Sequence, residues 1–548
     1  MAISKEIYKT LAAIVGPDHI SDDPVIREGY RSGPGGYENG LGYERVMTRV
    51  PGGVVLPRTT EEVQRIVKLC YRNDLPYVPY STGFYGPRSH PHVEGALLID
   101  LKRMNYFRLD ARHFYVEVGP GMIYSPIQEE CLKHGAYVVI GGGGAQASAI
   151  ANLIGDGWSP LSHRIGLPHR RILGTELILP DGELLKLGSL VTGDDPFWGE
   201  GPGPDLRGLL RGYTGLRGCL GIVTRMAIKT LPFQPERLEP TGISPHTALI
   251  LPEKRVKWIN FTVPSKEAQV KAMREIGRAE IAGAVTKVPL FWRAIAKAES
   301  KEEFWDIWRK ENEASVANFF IVRVLLIGYT SEEQMAYDER VLMDIMNEVG
   351  GVARPTKPSD ESWIKNADSA GMWLMCGGYV SVDYVIETLS QSPEHGPAYA
   401  ELKKKYTPPL MPDYGDPGWF QSFELGHQGY SEFLVYWDPD DDTDPVDQFY
   451  VDTSKMNIKN RFYTSLLGPH QPLYLTGPKY GPNYHEFLLK VKNEFDPKWK
   501  SHPPVPLAHD VFVERAPWMH GLKDWESPDD LAKMERMNTS VRDADSEE

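Results

Sequence analysis

Residues 141–166 read GGGGAQASAIANLIGDGWSPLSHRIG. An apolar run, Tyr137 to Ile140, leads into four consecutive glycines, and small residues then continue as far as Asn152. The apolar run predicts a strand. Residues without bulky side chains directly after it predict a turn whose backbone N–H groups stand open to a ligand. Three further loops follow the same plan. They are Tyr80-Ser-Thr-Gly-Phe-Tyr-Gly86, after a strand predicted at Leu75 to Tyr80, Gly119-Pro-Gly121, after Phe114 to Val118, and Gly212-Tyr-Thr-Gly-Leu-Arg-Gly-Cys-Leu-Gly221. No β-carbon keeps a pyrophosphate away from such a backbone, and the hydroxyls of Ser81 and Thr82 add donors. The sequence has no GxGxxG after a strand, no GxxxxGK[ST], no HExxH and no GxSxG. A Rossmann or P-loop cradle, a zincin and a serine-hydrolase elbow are therefore unsupported.

Outward from these loops, short apolar runs alternate with helical stretches from Tyr43 to about Leu231. The segment PRTTEEVQRIVKLC, residues 57–70, places Val63, Ile66, Val67 and Cys70 at i, i+3, i+4 and i+7, with acids in the first turn and Thr60 as the expected N-cap. Ile172 to Leu179 and Leu184 to Leu187 flank Pro180-Asp-Gly182, which predicts a hairpin. After Pro232 a proline-rich connection leads to a strand at Trp258–Val263, helices at Lys266–Ala282 and Glu302–Glu313, a buried strand at Phe319–Ile327 and a helix at Thr330–Gly350. That order predicts a second α+β unit, a sheet covered by helices. The acidic run Asp438 to Asp447 lacks calcium-loop spacing and reads as a loop before a helix, and Tyr484 to Phe495 reads as a helix stopped by Asp496-Pro497.

Composition excludes several functions. The 548 residues include 60 Lys+Arg and 74 Asp+Glu, a net charge of −14, so the basic patch of a nucleic-acid binder is not expected. The four cysteines, at 70, 131, 219 and 376, form no CxxC pair or cluster run, so an iron–sulfur centre would belong to another subunit. The N-terminus MAISKEIYKTLAAIVGPDHI lacks a long apolar h-region, and no apolar stretch is long enough to span a bilayer. A cytoplasmic protein is expected.

The order of the loops resembles the FAD-binding domain of the vanillyl-alcohol oxidase / p-cresol methylhydroxylase flavoprotein superfamily. The pieces that carry the resemblance are PRTTEEVQRIVKLC, PYSTGFYG, ALLIDLKRMN, YVEVGPGMIYSPIQEECLKHG, GGGGAQASAIANLIGDGWSPLSHRIG, ILGTELILPDGELLKLGS and DLRGLLRGYTGLRGCLGIVTRMAIKTLPFQPE, and the match returns in FLLKVKNEFDPKWKSHPP. The resemblance implies an α+β fold: a two-subdomain FAD-binding domain over residues 1–235, a cap or substrate domain with a central antiparallel sheet over 236–480, and a C-terminal return over 481–548. It implies FAD: the first loop has no histidine where the bicovalent branch has one, so non-covalent binding is the default, with covalent attachment through the cap domain left open. Ser81, Thr82, Gly83 and Gly86 would contact the pyrophosphate; Gly143, Gly144, Ala151, Asn152 and Gly157 would line the pyrophosphate and flavin; Gly221 and Ile222 would meet the adenine-side ribose.

The same resemblance implies an FAD-dependent oxidoreductase that removes a hydride from a small aromatic alcohol, alkylphenol or hydroxy-acid-like substrate. Electrons would pass to O2 or to an external carrier, a cytochrome, an iron–sulfur protein or an electron-transfer flavoprotein, and the chain would form a homodimer or higher oligomer. Tyr85 and Tyr474 fall where the phenol-oxidising branch holds its substrate, but Leu475 stands where that branch has an arginine. Gly426-His-Gln-Gly-Tyr-Ser-Glu432 matches only the start of the hydroxy-acid branch's metal motif, with Leu434 at its second histidine, so no metal is assigned. His427 and His470 stay open as base or hydrogen-bond donor. Two alternatives remain: an electron-transfer subunit of a larger redox complex, and a flavin-dependent transferase similar to alkylglycerone-phosphate synthase.

Overall fold

The computed structural model describes residues 2–31, 49–83, 90–141, 144–155, 158–188, 191, 204–211, 218–233, 254–287, 294, 297–314, 320–355, 378–410, 418–437, 444–460, 462 and 484–503. Near the N-terminus, β1 (Ile20–Ser21), β2 (Gly53–Val55), β3 (Tyr77–Tyr80) and β4 (Leu97–Asp100) form a four-stranded sheet in the order β1-β2-β4-β3. The helix Thr60–Arg72 covers it and buries Val63, Ile66, Val67 and Cys70, the four positions that the spacing predicts. Its cap is Thr59 rather than Thr60, because it is the Thr59 hydroxyl that accepts from the Glu62 N–H.

A five-stranded antiparallel sheet follows, built from β5 (Phe107–Asp110) and β6 (Tyr115–Val118), then, past the short β7 (Ala136–Tyr137), from β8 (Ile172–Ile178), β9 (Leu184–Gly188) and β10 (Ile222–Lys229), in the order β5-β6-β10-β8-β9. Strands β8 and β9 are the predicted hairpin, with Ile178 opposite Leu184. The strand expected over Tyr137 to Ile140 is shorter than its apolar run. It ends at Tyr137, paired with β11 (Leu231–Pro232), because the Val138 N–H donates to the Gln128 side chain instead of to a neighbouring strand (2.8 Å).

The cap sheet has seven antiparallel strands: β12 (Val256–Val263), β13 (Ala284–Lys287), β14 (Phe320–Ile327), β15 (Val352–Arg354), β16 (Gly378–Thr388), β17 (Trp419–Phe423) and β18 (Gln428–Trp437), ordered β15-β12-β14-β13-β17-β18-β16. Alternate residues go to opposite faces. Ile259, Phe261, Val285, Val322, Val324 and Phe420 meet the helices Lys266–Ala279 and Glu332–Glu348. Trp258, Ala284, Leu325, Ile327, Trp419 and Tyr430 instead join Tyr137, Val139, Leu161, Ile165 and Phe233 in one core. The sheet is thus buried on both sides, which explains why Phe320–Ile327 is apolar at every position but Arg323. Strand β13 stands where the sequence suggested only a link between two helices, since four residues carry too little periodicity to be read.

The chain then returns. The helix Tyr484–Phe495 ends at Asp496, and Ser501 bridges to Tyr77 of β3, with Tyr77 N–H donating to Lys500 O and His502 N–H to Tyr77 O (both 2.8 Å). Lys492 is 0 % exposed, and its ammonium donates to Asp496 Oδ2 (2.6 Å), Cys219 O (2.6 Å) and Ser501 O (2.8 Å). Asp496 also accepts from the backbone N–H groups of Lys500 and Ser501. The replacement Lys492→Met leaves a buried carboxylate without its cation, so the unfolding free energy should fall by about 3–5 kcal/mol. A urea midpoint equal to that of the unaltered protein would refute this.

Candidate functional site

Ser81, Thr82 and Gly83 leave the end of β3 at the edge of a polar cluster. Asp100, wholly buried, accepts from the Tyr30 hydroxyl (2.6 Å) and the Lys102 N–H (3.0 Å), and pairs with the Lys102 ammonium (2.7 Å). The Tyr80 ring meets Tyr30 edge-on at 5.3 Å, and burial pushes its hydroxyl up to about 12. Gly83 has φ +63°, and a β-carbon there would collide with the Tyr80 hydroxyl. His90 Nδ1 lies 2.9 Å from Tyr30 O, which can only accept, so Nδ1 carries the proton and Nε2 is a bare lone pair. Burial holds His90 neutral, with its pKa down at about 4, and Nε2 has no partner.

The second loop is pinned through Ser148. Its hydroxyl donates to Pro120 O (3.0 Å), inside the Gly119-Pro-Gly121 loop, and accepts the Ala151 N–H at the start of the helix Ala149–Ile154. On that helix Ala149, Ile150 and Leu153 are buried, Ala151 is exposed and Asn152 is half-buried, with Asn152 Oδ1 accepting from the Tyr124 hydroxyl (3.0 Å). Gly144, just before it, has φ +114°.

The last loop arrives beside the first. Ser501 Oγ donates to Gly218 O (2.6 Å), Lys492 holds Cys219 O, and a β-carbon on Gly218 would stand 2.6 Å from Pro79 of β3. Gly221 has φ +123°, and a β-carbon there would strike the backbone oxygen of Ile178, while Ile222 is buried and opens β10 opposite Ile178. The structure therefore sets Gly218 against Pro79 of β3, two residues before Ser81. Tyr85, Gly86, Gly143, Gly157, His470 and Tyr474 lie outside the described residues.

Residues 51–188 match the FAD binding domain family. Over those residues this chain carries an FAD binding domain. Its sequence relatives include glycolate oxidase subunit GlcD of Bacillus subtilis, 26 % identical over 232 residues, 42 % of this chain and 46 % of that one. Another is the 4-cresol dehydrogenase [hydroxylating] flavoprotein subunit of Pseudomonas putida, 26 % identical over 237 residues, 39 % of this chain and 41 % of that one. The chain spans less than half the length of these curated relatives. Among solved structures, p-cresol methylhydroxylase with substrate bound superposes with a TM-score of 0.71 over 90 % of this chain and 94 % of that one, at 16 % identity, so the fold is shared.

The residues present fit FAD. Gly83, Gly144 and Gly221 all hold positive φ, so these turns carry no side chain to keep a pyrophosphate from their backbone N–H groups. Among the histidines proposed from the sequence, His427 is exposed and follows the turn between β17 and β18, where Glu424, Leu425 and Gly426 all have positive φ. Glu424 ties that turn to Arg170 of the FAD binding domain by an ion pair. The buried histidine at the seam between domain and cap is one the sequence reading passed over, His163. Its Nδ1 lies 3.0 Å from Ser422 Oγ of β17, Nε2 has no partner, and burial, with Arg164 adding to it, pushes its pKa down to about 3. His163 stands within the opening stretch 141–166, but nothing local marks it. Its partner is 259 residues away.

Two outcomes follow from this geometry. With Gly221→Ala the Ile178 backbone cannot yield, and FAD binding, followed as quenching of flavin fluorescence on titration, should be lost; retained wild-type affinity would exclude a close approach at Gly221. His90 and His163 are neutral when folded but protonate near 6.5 when unfolded. The unfolded chain then binds more protons, and stability drops as pH falls below that value, by about 2 kcal/mol per histidine at pH 5. Melting temperatures at pH 7.5 and pH 5 should show the drop, and His163→Gln should make it shallower.

Proposed function

We propose that this chain is an FAD-dependent oxidoreductase acting on a small hydroxy acid or aromatic alcohol, and that its electrons leave through O2 or a partner protein. The observation that carries the reading is the match of residues 51–188 to an FAD binding domain, against whose strand β3 the buried Lys492 clamp sets Ser501 and, through it, the loop at Gly218. When bound, FAD supplies a hydride acceptor. The chain's own part is to bind and orient. Ser81, Thr82, Gly83 and Gly86 face the pyrophosphate, Gly143, Gly144, Ala151, Asn152 and Gly157 line it and the flavin, and Gly221 with Ile222 meets the adenine-side ribose. In this reading residues 1–235 and 481–548 hold the cofactor and 236–480 cover the substrate.

The substrate class draws support from the relatives, one named for glycolate and one for 4-cresol. Both are named as subunits, which favours a separate carrier for the electrons. Tyr85, Tyr474, His427 and His470 stand as the candidates for substrate contact and proton transfer. Among the described residues no helix is long and apolar enough to cross a membrane.

The absorbance spectrum of the purified protein, before and after acid precipitation, tests the cofactor. Flavin bands that stay in the supernatant are expected; a colourless protein that FAD cannot reconstitute would refute the reading, and a yellow pellet would overturn non-covalent binding. Anaerobic bleaching should then occur with a 2-hydroxy acid or an alkylphenol and not with simple alkanols. Failure to bleach with every member of both classes would remove the proposed substrate class.

A further inference from the structure

The seam between the cap and the FAD binding domain is mostly apolar, built from Leu161, Ile165, Trp419, Phe423, Tyr430 and their neighbours. Two consecutive residues of β17 interrupt it. Gln421 Nε2 donates to both Ser159 O (3.0 Å) and Pro160 O (2.7 Å), and Ser422 Oγ meets His163 Nδ1 (3.0 Å). Gln421, Ser422 and His163 are all fully buried. Side chains at successive strand positions point to opposite faces, yet both of these meet the one loop 158–163. The helix Ser162–Ile165 does pack against β17, β13 and the turn after β17. The loop also braces itself, with Ser159 N–H donating to Ser162 Oγ (2.9 Å) and Ser162 N–H to Ser159 O (2.9 Å). Trp158, at its start, stacks on Tyr430 at 4.7 Å, and Tyr430 is the direct ladder partner of Gln421.

We propose that Gln421 and Ser422 of the cap are positioning residues for the flavin, acting through the loop 158–163 that they grip. The inference rests on the FAD reading above, in which Gly157, the residue just before that loop, lines the flavin. An apolar contact fixes area but tolerates sliding, whereas two hydrogen bonds to successive carbonyls fix register and are costly to leave unmade once buried. The cap thus sets where the polypeptide next to Gly157 runs, and the cofactor should feel a substitution on a strand that follows that loop by about 260 residues.

Gln421→Met and Ser422→Ala test this, each close in volume to the residue replaced. Apoprotein of each variant and of the unaltered chain is titrated with FAD and followed by flavin fluorescence, with the visible spectrum of the loaded protein and the melting temperature of the apoprotein as further readouts. Losing the paired bonds of Gln421 should weaken FAD binding about tenfold and displace the flavin absorption maximum, with a smaller loss for Ser422→Ala. Ser422→Thr, which keeps the hydroxyl, should restore affinity. Unchanged affinity and spectrum in both variants, with a lowered apoprotein melting temperature, would overturn the proposal and leave the contacts as adhesion alone. If Gln421→Met does not fold, Ser422→Ala and its threonine rescue decide. An unaltered chain that binds no FAD would instead overturn the function on which the inference rests.

Discussion

A single ammonium group organises the cofactor end of this protein. Lys492 lies on the last described helix, yet its three hydrogens go to Asp496 just past the end of that helix, to Ser501 beyond it and to Cys219 in the glycine loop before β10. A buried charge is tolerable only when every bond it can make is made. Meeting that condition draws three parts of the chain to one point. It places Ser501 against β3 and against Gly218, so the loops on either side of Pro79 have one relative position. The turn at Ser81–Gly83 follows directly on the end of β3.

The second constraint is the cap sheet, apolar on both faces. One face is covered by the cap's own helices; the other is stable only against the FAD binding domain. Domain and cap therefore share a core, and the polar bonds of Gln421 and Ser422 within it choose one register for the contact. Arg170 and Glu424 add an ion pair at the rim.

Much of this could be read before any coordinates. The helix Thr60–Arg72 declared itself through four apolar positions on one stripe, the hairpin β8–β9 through Pro180-Asp-Gly182, and the loops at Ser81 and Gly119 through their places after β3 and β6, whereas a short helix, Leu206–Leu209, and not a strand, precedes the loop at Gly212. Strand β13 could not be read, since its four residues are strand only by virtue of β14 and β17 on either side. Val138 to Ile140 misled in the opposite sense, apolar enough for a strand but diverted by the Gln128 side chain. Among histidines, His427 attracted notice through a partial motif and is exposed in a turn, while His163 carries no motif and is buried at the seam.

By itself the sequence determined the α+β class, the glycine turns and the kind of ligand they admit, because those depend on residue size and on periodicity over a few neighbours. Which turns lie beside one another, which histidine sits at the seam and which cap residues grip the loop 158–163 were decided only by the tertiary structure. Those pairings, Lys492 with Cys219 and Gln421 with Ser159 and Pro160, join positions more than 260 residues apart. No local pattern encodes them; they exist because burial makes an unpaired polar group too costly, and the fold supplies the partner.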